Sequence, residues 1–288
     1  MLELQTLSSS IVQNFIPTRK STSRKGDNGI VLVVGGSYIY HGAPVLSSLA
    51  ALRCGTDLVY TCVPKINVTP TRAISPNLIV IPLVDQKLTL GAVKKLVGAL
   101  PRNLHSATIG MGLAIQEKNS LLHLVKSLLD RDVRLSLDAS ALIPEILPIL
   151  AHKNVVVTPH AGEFKRLFGD VPSDSNLERI KLVEENALKH GITILLKGPT
   201  DIISDGKITY LCEKNTPAMT VGGTGDVLSG LVAGLLSTNR NTLESAAAAS
   251  YICGLAGKEV QEKLGLHITS MDLIDSIPSV MKPFDKIV

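Results

Sequence analysis

From Thr220 to Leu236 the chain reads Thr-Val-Gly-Gly-Thr-Gly-Asp-Val-Leu-Ser-Gly-Leu-Val-Ala-Gly-Leu-Leu, glycines around one carboxylate and then an apolar run with helical spacing. Gly222, Gly223 and Gly225 let backbone approach a ligand closely, so that the amides of Gly222, Gly223, Thr224 and Gly225 can converge on one anion. The helix that follows adds unpaired N–H groups and the positive end of its dipole. A carboxylate there repels phosphate. Asp226 therefore makes chemical sense as a base that takes the proton of a hydroxyl about to receive a phosphoryl group, while the loop holds the developing charge. The simpler alternative is a glycine turn with Asp226 as a helix cap, and the loop alone does not separate the two.

Three other stretches bear on that choice. Thr158-Pro159-His160-Ala161-Gly162-Glu163 sets a strand end against a helix start. With His160 at the N-cap, Glu163 falls at N3, where it suits the cap and the dipole; holding a hydrated Mg²⁺ is the other reading of Glu163. Ser, Thr, Asp or Asn would cap better than His160, which points to a ligand contact there. Lys197 emerges from the aliphatic run Ile194-Leu195-Leu196 beside Gly198, as a phosphate neighbour would. Gly35-Gly36-Ser37 and Gly42-Ala43-Pro44 bracket the first strand-to-helix crossing, and a tight turn before a Pro-started helix accounts for them structurally. They do not supply GxGxxG, and GxxxxGK[ST] is absent, which argues against a dinucleotide-binding dehydrogenase and a P-loop kinase.

The elements that must position these residues alternate strand with helix. Strands are expected at 30–34, 58–63, 78–82, 107–110, 134–137, 155–157 and 192–196, with a hairpin 202–204/208–211 turned at Asp205-Gly206. Helices are expected near 8–15, 44–54, 90–100 and 121–129, and at 225–237, 242–261 and 270–281. The alternation predicts a mainly parallel sheet covered on both faces, whose ligands lie beyond the carboxyl ends of the strands. Those ends read Gly35-Gly36-Ser37, Gly110-Met111-Gly112, Asp138-Ala139-Ser140, Thr158-Pro159-His160 and Lys197-Gly198. No linker or repeat divides the 288 residues, so one domain is expected over 1–288, with residues 1–25 as a polar lead-in.

Composition narrows the function classes. The chain is 45% hydrophobic but has no Trp and four Phe, so the stacking residues of a single-stranded nucleic-acid binder are missing. A net charge of +4, with basic residues scattered apart from Arg19-Lys20 and Arg24-Lys25, carries no DNA footprint. Cys54, Cys62, Cys212 and Cys253 are widely spaced and read as reduced core residues. No run approaches a membrane span, and residues 1–20 lack a signal-peptide core, so a cytoplasmic protein is expected.

With these residues in place, the chain resembles the ribokinase-like superfamily and, within it, the NAD(P)H-hydrate dehydratase family. The resemblance rests on Lys25-Gly26-Asp27, Val31 to Ser37, Tyr40-His41-Gly42-Ala43-Pro44, Thr158 to Glu163, Lys197-Gly198 and Met219 to Leu228, in family order over about residues 25–275. Two departures stand out: the family's GPGLG is Gly110-Met111-Gly112-Leu113-Ala114, and Ala161 replaces a proline. The resemblance implies a three-layer α/β/α ribokinase-like fold and a reaction in which ADP or ATP phosphorylates the hydroxyl of a hydrated nicotinamide cofactor before phosphate leaves. It implies Asp226 as catalytic base, Ala43, Gly112, His160 and Asp226 facing the hydrate, and Lys197, Gly198, Pro199, Thr200, Asp201 and Gly225 facing the nucleotide. Mg²⁺ and a homotetramer are further implications, and the stand-alone form is closer to members that use ADP. The epimerase domain fused to some members is not expected, because residues 1–25 are too few for it. Two readings compete: a ribokinase-like kinase that phosphorylates a vitamin-precursor alcohol and stops there, and a nucleotide-binding sensor without catalysis.

Overall fold

Five successive aliphatic residues, Ile30 to Val34, are all buried, and such a run is stable as a strand only with helices over both of its faces. The computed structural model, which describes residues 3–172, 175–214 and 216–288, places it in a sheet of ten strands. These are β1 (Glu3–Thr6), β2 (Ile30–Val34), β3 (Leu58–Pro64), β4 (Ile79–Leu83), β5 (Ser106–Ile109), β6 (Arg134–Leu137), β7 (Val155–Val157), β8 (Thr193–Leu196), β9 (Thr200–Ser204) and β10 (Ile208–Glu213). Their order is β1-β10-β9-β8-β7-β6-β5-β2-β3-β4, and every neighbouring pair is parallel except the two that involve β9.

The helices are α1 (Ser9–Phe15), α2 (Ala43–Arg53), α3 (Val68–Ile74), α4 (Leu90–Ala99), α5 (Lys118–Leu129), α6 (Leu147–Leu150), α7 (Ala161–Phe168), α8 (Asn176–His190), α9 (Thr224–Thr238), α10 (Thr242–Leu264) and α11 (Ser270–Met281). Alternation along β2 sorts them into two layers. Leu32 and Val34 join a cluster with Val93 and Leu96 of α4, Leu121 and Leu124 of α5, and Val183 of α8. Val31 and Val33 face the opposite way, against Val45 and Ala51 of α2 and Ala233 of α9. On that same side Val156 and Leu195 meet Val227, Leu231, Ile252 and Leu273 of α9, α10 and α11. The α/β/α architecture expected from the alternation is what the chain adopts.

Close approach of two helices sets the position of the glycine loop. A Cβ on Gly230 would fall 2.1 Å from the carbonyl oxygen of Ser47, so glycine is what lets α9 lie against α2. One turn earlier the Ser47 hydroxyl donates to the carbonyl of Asp226 at 2.7 Å. The beginning of α9 is thereby locked to the helix that starts at Ala43.

The differences from the sequence expectation have physical causes. The lead-in is part of the fold: β1 extends the sheet beside β10, and α1 buries Val12 and Phe15, the latter with its ring centroid 5.5 Å from that of Tyr210. A four-residue strand whose sole sheet neighbour lies two hundred residues away leaves little periodic signal. Helices α3 and α8 were not anticipated either; Pro70 in the first turn of α3 masks it. The Asp205-Gly206 hairpin is present, longer at both ends than expected. All four cysteines are free thiols and three are buried.

Candidate active site

Gly223 occupies the N-cap of α9 with φ +95°, and a Cβ there would stand 2.7 Å from both Leu46 Cδ1 and Ser270 Oγ. Only glycine makes this turn without displacing α2 and α11. Ser270 Oγ donates to the Gly222 carbonyl at 2.8 Å, and Thr224 Oγ1 donates to the carbonyls of Met219 and Val221 at 3.1 and 3.3 Å. The loop is thus held from below while the first-turn amides of α9, which have no intrahelical acceptor, stay available to an anion. Asp226 sits at N3 but, unlike Glu163 at N3 of α7, forms no capping box, so capping does not account for it. Burial, then the charge of Asp138, push its carboxyl up to about 6, with Lys197 opposing. A partly buried carboxylate poised near neutrality suits a base.

Parallel pairing of β6, β7 and β8 brings their carboxyl ends side by side. Lys197, just past β8, places Nζ 2.8 Å from Oδ1 of Asp138, just past β6, and 3.6 Å from Oε2 of Glu163 at the start of α7. Burial works against the Lys197 charge, but Asp138 and then Glu163 outweigh it and hold the ammonium above its ordinary value. The same cation borders the glycine loop, since a Cβ on Gly225 would lie 3.6 Å from its Nζ. His160 caps α7 as the spacing indicated: Nδ1 accepts from the amides of Gly162 and Glu163 at 3.0 and 3.2 Å, and Glu163 Oε2 accepts from the His160 amide at 3.0 Å. The imidazole is largely exposed, with Nε2 3.5 Å from Glu163 Oε1.

Two cavities meet at the start of α9. One, of about 600 Å³, is bounded by Ser37, Tyr40, Ala43, Gly112, Ser140 and Asp226 among others. The second, of about 680 Å³, is lined by Lys197, Gly198, Pro199, Asp201, Lys214, Met219, Thr224, Gly225 and Leu228 among others. Gly225 and Asp226, adjacent in sequence, therefore face different cavities. A phosphoryl group carried in one has only a single helical turn to cross to reach a hydroxyl in the other.

The structure brings together most of the residues singled out from sequence. Ala43, Gly112, Gly222, Gly223 and Asp226 line the first cavity, and Lys197, Gly198, Pro199, Asp201, Thr224 and Gly225 the second. His160 lines neither and reaches Lys197 through Glu163, and Thr200 opens β9 without lining either. Asp201 is fully buried and works from beneath: Oδ1 accepts from the Gly198 amide at 3.0 Å, and Oδ2 accepts from Ser250 Oγ at 2.7 Å and pairs with Lys214 Nζ at 2.6 Å. Sequence reasoning missed Lys214, Tyr40 and Ser140 as lining groups and Asp138 as the partner of Lys197. Asp138 and Ser140 left a signal at a strand end and Tyr40 lies in a motif already singled out, whereas Lys214 left none. Among the described residues no three metal-ligating side chains are grouped to hold an ion by themselves.

A mainly parallel sheet between helical layers, with a glycine loop and its Asp where α9 begins, defines the ribokinase-like class. A crystal structure of the ADP/ATP-dependent NAD(P)H-hydrate dehydratase of Bacillus subtilis superposes with a TM-score of 0.84, at 26% identity, covering 98% of this chain and 99% of that one. The family model for NAD(P)H-hydrate dehydratase matches residues 31–279, and the chain belongs to that family. It is 80% identical over 283 residues to the ADP-dependent (S)-NAD(P)H-hydrate dehydratase of Nitrosopumilus maritimus, covering 98% of this chain and 99% of that protein. It is 65% identical over 276 residues to the protein of the same name from Cenarchaeum symbiosum, covering 96% of each.

Proposed function

We propose that this protein is an ADP-dependent (S)-NAD(P)H-hydrate dehydratase, with the hydrate in the cavity of Ala43, Gly112 and Asp226 and the nucleotide in that of Lys197, Gly198 and Gly225. The observation that carries the assignment of roles is the division of the two cavities between Gly225 and Asp226. Asp226 takes the proton of the hydrate hydroxyl, whose oxygen attacks the terminal phosphorus of ADP, and AMP departs. The new phosphate ester is a far better leaving group than hydroxide. Its C–O bond then breaks as a proton is lost from the neighbouring ring carbon, which restores the double bond and releases inorganic phosphate.

The amides of Gly223, Thr224 and Gly225 and the Lys197 ammonium face the migrating phosphoryl group, where charge builds up. Asp201 supports the floor of the nucleotide cavity by fixing Gly198 and Lys214. His160 holds α7 in place and, through Glu163, the Lys197 environment; its exposed imidazole, with Nε2 beside Glu163, borders the outer part of the hydrate.

Mg²⁺ fits this donor set. Asp138 and Glu163 both pair with the Lys197 ammonium and Asp226 lies within reach of its charge, a negative excess of oxygens that is not grouped to ligate an ion directly and suits a hydrated Mg²⁺ held through its waters. Glu163 would hold it through water, beside the nucleotide phosphates, where the ion supplies charge neutralisation. We read the 288 residues as one domain acting in the cytoplasm as a homotetramer; no helix among the described residues is long and apolar enough to cross a membrane.

The deciding experiment supplies the hydrate with ADP or ATP in turn and follows both the near-ultraviolet absorbance of the reduced nicotinamide and the phosphorus products. Recovery of absorbance with stoichiometric AMP and inorganic phosphate is expected with ADP. Accumulation of a stable phosphate ester overturns the dehydratase in favour of a kinase, and nucleotide binding without turnover overturns it in favour of a sensor.

A further inference from the structure

The opposite end of the sheet, where the parallel strands begin, carries a third cavity, of about 280 Å³, lined by Leu104, His105, Arg131, Asp132, Arg134, Asn154 and Arg240. His105 immediately precedes β5, Arg134 opens β6 and Asn154 immediately precedes β7, so three adjacent strands deliver their first side chains to it. Arg240 comes from the chain just past α9. Three guanidinium groups thus face a space with one carboxylate.

Hydrogen bonding leaves defined donors. Arg131 is committed, with Nη1 and Nη2 donating to the carbonyls of Val97 and Pro101 at 3.2 and 2.6 Å. Arg134 donates from Nη2 to the Ser237 carbonyl at 3.3 Å and its Nε is buried out of reach, which leaves Nη1, unbonded among the described residues, as its donor toward the cavity. A guanidinium N–H that faces a cavity without a protein acceptor matches an oxyanion in charge and geometry. His105 Nδ1 accepts from the Ile30 amide at 3.0 Å, which puts the ring's proton on Nε2 as a further donor. Burial, then Arg134 and Arg240, hold His105 below its ordinary pKa, and burial with Arg240 lowers Arg134 more than Asp132 raises it. These side chains share one field of positive potential.

We propose that this cavity binds a small phosphate-type oxyanion through Arg134 and Arg240, with His105 Nε2–H as a third donor. Its volume accommodates inorganic phosphate or the terminal group of a phosphomonoester. It lies at the far end of α9 from the glycine loop, about 22 Å along the helix axis, so occupancy there is separable from occupancy of the transfer site.

Proton NMR of the imidazole resonances tests the site, with His105 assigned through His105→Gln and inorganic phosphate as the probe. At constant ionic strength the His105 signal should move saturably with phosphate and not with chloride. Arg240 is exposed, so Arg240→Ala leaves the fold intact and should weaken the phosphate midpoint on the order of tenfold; Arg134→Lys should weaken it too. Glycerol phosphate forms a second arm: a matching midpoint assigns the terminal phosphate of a metabolite, and no shift assigns the free ion. Absence of saturation, an equal response to chloride, or an unchanged midpoint in Arg240→Ala overturns the proposal.

Discussion

Lys197 Nζ stands 2.8 Å from Oδ1 of Asp138, tying the end of β8 to the end of β6 across the intervening β7. The pair sets the electrostatics of Asp226 from both sides, because Asp138 raises its pKa and Lys197 lowers it. Perturbing either partner should therefore be readable at the base.

Asp226→Ala should lower kcat about a thousandfold, the scale of a lost general base. The carboxylate faces the hydrate cavity, so ADP binding measured by calorimetry should change by no more than a few fold. Near-normal turnover in this variant would refute the assignment.

With the Asp226 carboxyl at about 6, turnover should rise with pH through that value and level off above it. Its folded value exceeds the 3.8 of an ordinary aspartate, so the folded state binds more protons between those limits and this group's contribution to stability falls as pH rises through the window. Asp226→Asn should accordingly gain up to about 3 kcal/mol at pH 7 in denaturant unfolding while losing activity.

The two partners should move the acidic limb of the pH–rate profile in opposite directions. Asp138→Asn removes the charge that raises Asp226 and shifts the limb to lower pH. Lys197→Met removes the charge that lowers it and shifts the limb upward, at a stability cost of about 3 kcal/mol for the uncompensated carboxylates. Parallel shifts in both variants would show that the base lies elsewhere.

Gly112→Ala should separate the two cavities. Gly112 has φ +61°, and a Cβ there would meet Tyr40 Cβ at 2.6 Å, on the wall of the Asp226 cavity. KM for the hydrate should rise at least tenfold while the ADP dissociation constant stays within twofold.

Lys214→Met should act on the other side. It strands the buried Asp201 carboxylate, whose Oδ1 fixes the Gly198 amide, at a cost of about 3 kcal/mol in stability. ADP affinity should fall in calorimetry while KM for the hydrate holds; the reverse pattern would exchange the two cavities.

The sequence by itself determined the strands from β2 to β8 within a residue or two at each end, the layered α/β class and the local motifs. It did so because buried parallel strands are short aliphatic runs, and because glycine loops and capping boxes are written in consecutive residues. Asp226 at the head of α9 and the His160–Glu163 box needed nothing beyond neighbours in the chain. What only the tertiary structure decided was which strand ends stand together. The strand order brings Asp138 to Lys197 across fifty-nine positions, seats Lys214 on Asp201, and adds β1 beside a strand two hundred residues away. Partners of that kind leave no periodicity behind, since their spacing is set by the sheet and not by the chain.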